Sequence, residues 1–192
     1  MSGSDEVKAS AGVKLTYDDY VLFPEDGLQH ELIDGEHYVT PTSKIAHQAI
    51  SGNLHWLIRS YLEEHPIGHV YCAPLDVIFS KYDVVEPDLL YLSNERAAEV
   101  LRDWVRGAPE LVVEIASPGT RKRDETIKRR LYERWGVSEY WVVDPEVERI
   151  RIYRRAGESF ARGEERSSEA HDALTTPLLP GLEMPLTTIF KQ

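Results

Sequence analysis

The stretch Leu111–Ile115 (Leu-Val-Val-Glu-Ile) constrains this chain more than any other. It is too uniformly apolar for a half-exposed strand, so it belongs at the centre of a sheet with both faces covered. Glu114 interrupts it. An ionised carboxylate in a buried strand costs several kcal/mol unless something positive meets it, so the strand demands a metal ion, a lysine or an arginine. After Ser117-Pro118-Gly119 comes a basic segment with helical spacing, in which residues 121–134 hold seven Lys/Arg against three acidic residues. That excess is either a solvated helix face or a surface for a phosphate backbone.

The length of 192 residues suits one domain with a substantial core. Residues 1–13 are polar and lack an apolar signal core, so they read as a disordered leader ahead of a single domain over residues 14–192. No apolar run reaches the ~18 residues of a membrane span, so no membrane partner is expected. The single cysteine, Cys72, excludes an internal disulfide and a cysteine-based zinc cluster, and fits a reducing cytoplasm. A net charge of -11 opposes indiscriminate binding to nucleic acid, which needs a broad basic face.

Along the chain, Thr16 and Asp19 form a capping-box pattern for a short helix over residues 17–22. Asp34-Gly35 between two strand-like runs predicts a hairpin. Ser43 is the expected cap of a long helix reaching about residue 64, with Ala46, Ile50, Leu54, Leu57 and Tyr61 as its buried stripe. Strands are expected at 70–73, 75–79 and 84–92, with Asp83 in a turn. A weak helix (93–101) and a loop (103–109) precede the central strand. Residues 120–135 read as a helix facing the core through Ile127, Leu131 and Trp135, with Gly136 just past its end. Strands at 137–143 and 150–153 pair across Asp144-Pro145. Residues 158–172 read as a mobile loop around a weak strand at Phe160, and Pro180-Gly181 as a turn. The order is that of one mixed α/β domain.

The acidic residues inside expected strands, Glu31, Asp76, Asp88 and Glu114, are the chemically informative ones. Two carboxylates brought together on neighbouring strands repel unless a cation neutralises them. Oxygen ligation without a Cys cluster or a spaced His pair points to Mg²⁺ or Mn²⁺. His47 reads as a packing or hydrogen-bonding residue of the long helix, and Tyr132 and Trp141 as core. Ser117 has no nucleophile motif around it.

Pro87-Asp88 followed by Glu114-Ile115-Ala116 resembles the PD-(D/E)XK nuclease signature with alanine in the lysine position. The segments YDDY, HELIDGE, the His47 helix, VEPDLLYL, LVVEIASPGT and GVSEYWVVDP resemble, more specifically, the Uma-type restriction endonuclease domain family of that superfamily, over roughly residues 15–154. The resemblance implies a restriction-endonuclease-like core: a central mixed β-sheet flanked by α-helices, with an N-terminal helix and hairpin. It implies Asp88, Glu114 and the Ile115 carbonyl as metal ligands. Glu31 would hold a water or second ion, and Asp76 is a weaker candidate on a strand pairing toward Asp88. Related branches move the missing lysine to the next helix. Lys128 is the choice because Asp124, Lys128 and Tyr132 share one helix stripe, and Lys122 is the alternative. Arg121, Lys122 and Arg123 would meet the nucleic-acid backbone. The implied activity is metal-dependent endonucleolytic cleavage of DNA by a homodimer. The rival reading is a non-catalytic nucleic-acid-binding or interaction module that keeps the fold, motivated by Ala116 and the acidic net charge.

Overall fold

In the computed structural model, which describes residues 13–191, the chain forms two main sheets that meet around the Glu114 strand. The elements up to that strand are α1 (Tyr17–Tyr20), β1 (Gln29–Ile33), β2 (Glu36–Thr40), α2 (Ile45–Glu64), β3 (Gly68–Cys72), β4 (Val77–Ser80), β5 (Asp83–Val85), β6 (Leu89–Ser93), α3 (Asn94–Val100), β7 (Val105–Arg106) and β8 (Leu111–Ile115). A continuous helical segment follows: α4 (Arg121–Arg123), a π turn (Asp124–Lys128) and α5 (Arg129–Trp135). The chain then runs through β9 (Glu139–Asp144), β10 (Arg149–Ala156), β11 (Ser159–Phe160), β12 (Glu164–Ser167), β13 (Ala173–Leu174), β14 (Met184–Pro185) and α6 (Leu186–Ile189). The proposed leader lies almost wholly outside the described residues.

All five residues of β8 are buried. The strand lies between β6, antiparallel to it, and β9, parallel to it, in a mixed sheet ordered β11-β10-β9-β8-β6-β3 with β12 paired to β10. Side chains alternate across a strand, and β8 uses both faces. Leu111, Val113 and Ile115 join the core under α2, which contributes Ile50, Leu54, Ile58 and Leu62. Val112 and Ala116 join the opposite core with Leu131, Tyr132 and Tyr140. Glu114 shares the second face, so it points toward the helical segment that carries the lysines.

The five-stranded sheet, ordered β2-β1-β5-β4-β7, closes that second core. Its first hairpin turns at Asp34 and Gly35, both with positive φ (58° and 78°), as an Asp-Gly turn between twisted strands requires. Ile33 of β1 reaches the second core and Leu32 a separate cluster. By the same alternation Glu31 faces inward, toward Glu114.

Several sequence expectations are corrected. Residues 84–92 are not one strand. Pro87 cannot donate to a ladder, and the chain crosses from one sheet to the other at Glu86-Pro87-Asp88 between β5 and β6. Asp83 is not a turn residue. It opens β5, where it accepts from the Asp34 amide (2.9 Å) and the Ser80 hydroxyl (2.9 Å) and pairs with Arg134 (2.9 Å). Helix α2 begins at Ile45, with Lys44 and not Ser43 at its cap. Its buried stripe runs Ile50, Leu54, Ile58, Leu62, while Leu57 and Tyr61 are only partly buried. Residues 158–172 contain β12, paired with β10 over four residues, because Arg149 and Arg151 find Glu165 across the ladder. Ile127 is 37% exposed, whereas Asp124 and Lys128 are buried with Leu131 and Tyr132. No helix among the described residues is long and apolar enough to cross a membrane.

Among the described glycines the tightest approach is at Gly68 of β3, opposite Ser93 of β6. A Cβ there would collide with the Leu92 carbonyl and lie 2.6 Å from the Tyr91 ring. Gly68→Ala is expected to cost about 1–3 kcal/mol in a urea unfolding curve, as overpacking against backbone does; an unchanged midpoint would contradict the close approach.

Candidate active site

Two carboxylates from different strands converge on one ammonium. Lys128 Nζ lies 2.7 Å from Glu31 Oε1 and 2.9 Å from Glu114 Oε1. It is only 3% exposed. Burial opposes its charge, but Glu114, Glu31 and Asp124 outweigh burial and raise its pKa above that of an ordinary lysine. The lysine is therefore held as a cation. Tyr132, one turn further on, donates to the same Glu114 oxygen (2.5 Å). Glu31 Oε1 also accepts from the Glu86 amide (3.1 Å), which ties β1 to the start of the crossover.

The local backbone explains why the lysine can reach. The five residues from Asp124 to Lys128 form a π turn, a widened geometry that recurs at functional sites. Its cap bond runs from the Arg129 amide to the Asp124 carbonyl, which also accepts from the Tyr140 hydroxyl (3.1 Å). The Thr126 hydroxyl occupies the Lys122 carbonyl (2.5 Å). Asp124 and Lys128 thereby continue the inward stripe of Leu131 and Tyr132, and Ile127 turns out.

Asp88 stands at the end of the crossover. Its Oδ2 accepts from the Ile115 amide (2.7 Å). In the β6–β8 register Leu89 faces Val113, so Ile115 falls opposite Pro87, beyond the ladder, and its amide takes the Asp88 carboxylate. The other oxygen, Oδ1, lies 3.1 Å from His47 Nε2. Burial lowers the His47 pKa, but Asp88 more than compensates and the net shift is upward.

These groups line one open cleft of about 520 Å³, with Asp88, Glu114, Ile115, Asp124, Lys128 and His47 in its wall and Arg123 and residues 117–120 at its rim. Asp124 Oδ1 and Glu31 Oε2 are buried without a hydrogen-bond partner. Four carboxylates thus surround two fixed cations, Lys128 and Arg123. Burial raises the Glu114 carboxyl well above the usual range; Lys128 pulls it down, and Asp124, Asp88 and Glu31 push it up again. Such an excess of negative charge is relieved either by a proton or by a further cation.

Of the remaining candidates Arg123 borders this cleft, and the others lie elsewhere. Asp76 precedes β4, which pairs with β5 and β7 and not with β6, so the expected pairing toward Asp88 is corrected. Asp76 accepts from the Tyr20 hydroxyl (2.8 Å) beside Glu86, whose carboxyl burial and Asp76 push up to about 7. Lys122 is exposed. Arg121 is committed to Asp144 and Glu146 (both 2.8 Å). Arg123 donates to Thr40 (2.5 Å) and lies 3.6 Å from Glu31. Tyr132 is a core residue, as its helical spacing predicts, and its hydroxyl also donates to Glu114. Its four-residue spacing from Lys128 was the available signal.

Removing the ammonium strands two buried carboxylates, so Lys128→Ala is expected to cost on the order of 3–5 kcal/mol of stability. Urea unfolding measures it, and a loss below about 1 kcal/mol would mean that water already satisfies Glu31 and Glu114.

A model of the Uma2 family, described as "Putative restriction endonuclease", matches residues 17–187. Among solved structures the fold resembles a crystal structure titled as "a putative nuclease belonging to DUF820" from Anabaena variabilis. The TM-score is 0.78 at 20% identity, over 92% of this chain and 97% of that one. A search of curated proteins found no match.

Proposed function

The chain belongs to the Uma2 restriction-endonuclease family, and from that premise we propose that it is a divalent-metal-dependent endonuclease hydrolysing phosphodiester bonds of DNA. The observation that carries this reading is the Lys128 ammonium bridging Glu31 and Glu114 in the wall of the cleft that Asp88 also lines.

The donor chemistry fits Mg²⁺ or Mn²⁺. Asp88, Glu114 and the Ile115 carbonyl are hard oxygen donors, and the surplus of buried carboxylates favours a small divalent ion. Among the described residues no three His, Cys, Asp or Glu side chains form a metal-holding group, which leaves coordination positions to water and substrate, as Mg²⁺ sites commonly do. A divalent ion there supplies Lewis-acid activation of a phosphoryl oxygen and of water.

The protein's own groups do the rest. Tyr132 and Lys128 both hold Glu114 Oε1, which fixes the carboxylate in the cleft wall. The Ile115 amide fixes Asp88 in the same way. Lys128 presents a fixed positive charge to the negative charge that develops on a phosphate during hydrolysis, and Glu31 keeps that ammonium in place. Arg123 at the rim meets the phosphate backbone, whereas the ion pairs of Arg121 make it the weaker of the two contacts. A homodimer belongs to this reading, since cutting both strands of a duplex calls for two such centres; light scattering should find twice the 22.0 kDa chain mass, and a monomer at high concentration would remove it.

Incubation with supercoiled plasmid DNA and Mn²⁺ or Mg²⁺ tests the activity. Asp88→Asn and Glu114→Gln should each lower strand scission by at least about 10²-fold, the scale of losing one electrostatic contributor, while Lys122→Met leaves it within about twofold. Scission by Glu114→Gln at the wild-type rate would contradict the assignment. Salt-dependent DNA binding that ignores the metal, with no scission by the wild type, would instead identify a binding module.

A further inference from the structure

We propose that the outer face of helix α2 is the surface through which two copies of this chain pair, antiparallel and related by a two-fold axis. This rests on the homodimer of the reading above and gives it an interface.

The helix carries three features that no contact among the described residues explains. The first is an exposed stripe. Ile50, Leu54, Ile58 and Leu62 turn into the core, and on the opposite side Ile45, Gln48, Gly52, Trp56, Arg59 and Glu63 recur every three or four residues. Ile45 is 86% and Trp56 61% exposed, although large apolar side chains gain most from leaving water. The second is Gly52, in the middle of a 20-residue helix. Glycine weakens an exposed helix interior, and a Cβ there would meet nothing within 4 Å. The third is the order of the end charges. Lys44 caps the N-terminus and Glu63 and Glu64 close the C-terminus, with no acidic residue in the first turn and no basic one in the last. The helix dipole favours the reverse at both ends.

A second copy laid antiparallel answers all three. About an axis level with Leu54, Trp56 of each copy meets Gly52 of the partner subunit. The missing side chain lets the indole approach the helix backbone. An open groove of about 430 Å³ beside Gly52, with His55 and Pro74 in its wall, gives the ring a seat. A buried aromatic in a pocket is a common interface anchor. The same axis puts Glu63 and Glu64 of one helix beside the partner subunit's Lys44 and the free amides that open that helix. Each end of the dipole then meets the charge it favours. Every contact occurs twice, as a two-fold interface requires. Lys44 also lines the cleft of the candidate site, so the helix pair joins two such clefts in one assembly.

Sedimentation equilibrium of the full chain tests the surface. Wild type should sediment at twice the 22.0 kDa chain mass. Trp56→Glu should raise the dimer dissociation constant by at least about 30-fold, the scale of an interface anchor. Gly52→Leu should raise it by about tenfold or more and keep the far-ultraviolet helix signal, because leucine is the better helix former. Lys44→Glu should weaken the dimer. Adding Glu63→Lys and Glu64→Lys to the same chain should bring the constant back to within about threefold of wild type, as coupled sites do. A dimer untouched by both Trp56→Glu and Gly52→Leu, or no recovery in the charge swap, would overturn the inference and leave the homodimer to another surface. Trp56→Glu protein that keeps the wild-type mass but loses DNA affinity would show that the stripe meets nucleic acid instead. A wild-type monomer at high concentration would remove interface and dimer together, while plasmid scission still decides the nuclease reading. Dimer loss in the variants, with no metal-dependent scission by wild type, would uphold the interface and sink that reading.

Discussion

A buried ammonium between two strand carboxylates is the interaction on which the rest of this structure depends. Lys128 reaches Glu31 from one sheet and Glu114 from the other, so a single side chain joins β1, β8 and the helical segment between β8 and β9. Desolvating three charges is expensive. The arrangement persists because the ammonium has two carboxylate partners, Tyr132 adds a hydrogen bond, and the Glu86 amide completes the Glu31 oxygen.

A second buried carboxylate shows what a purely structural solution looks like in the same protein. Glu139 in β9 is 2% exposed. One oxygen accepts from Trp141 Nε1 (2.8 Å) and pairs with Arg154 (3.1 Å), while the other accepts from Thr176 (2.7 Å). Both oxygens are consumed, and the contacts pin residues 173–176 against the sheet. Glu114 differs: its two donors share one oxygen, and it borders an open cleft that also exposes Asp88 and Asp124 to an incoming group. That contrast separates a carboxylate with both oxygens consumed from one whose two donors share a single oxygen at the edge of a cleft.

Much of this was legible from local pattern. The uniform run at 111–115 identifies the central strand, the Asp-Gly turn the first hairpin, and the apolar spacing after Ser43 the long helix. What escaped the sequence depended on partners distant in the chain. Pro87 splits residues 84–92 between two sheets, but the apolar flanks on both sides mask the break. The stripe of Ile127, Leu131 and Trp135 ranks a charged residue as outward by default. Lys128, which the stripe it shares with Asp124 and Tyr132 already marks, faces inward because the carboxylates of Glu31 and Glu114 meet its ammonium, and the π turn brings Asp124 to the same side. Asp76 looked like a strand residue near Asp88, yet register belongs to the pairing and not to sequence distance, and β4 pairs with β5. His47 reads from the sequence as a packing or hydrogen-bonding residue of the long helix, and only the structure identifies Asp88 as its partner.

The alternation of β8 gives the account its economy. One strand sends three apolar side chains under α2 and a carboxylate to the opposite face, and the crossover at Pro87 sets Asp88 against its end. The most direct test is a crystal of the protein soaked in Mn²⁺ and measured for anomalous scattering. A peak within about 2.0–2.4 Å of carboxylate oxygens from both Asp88 and Glu114 is expected, with Lys128 still bound to Glu31. A fully soaked crystal with no peak there, or with one that touches only a single carboxylate, would contradict it.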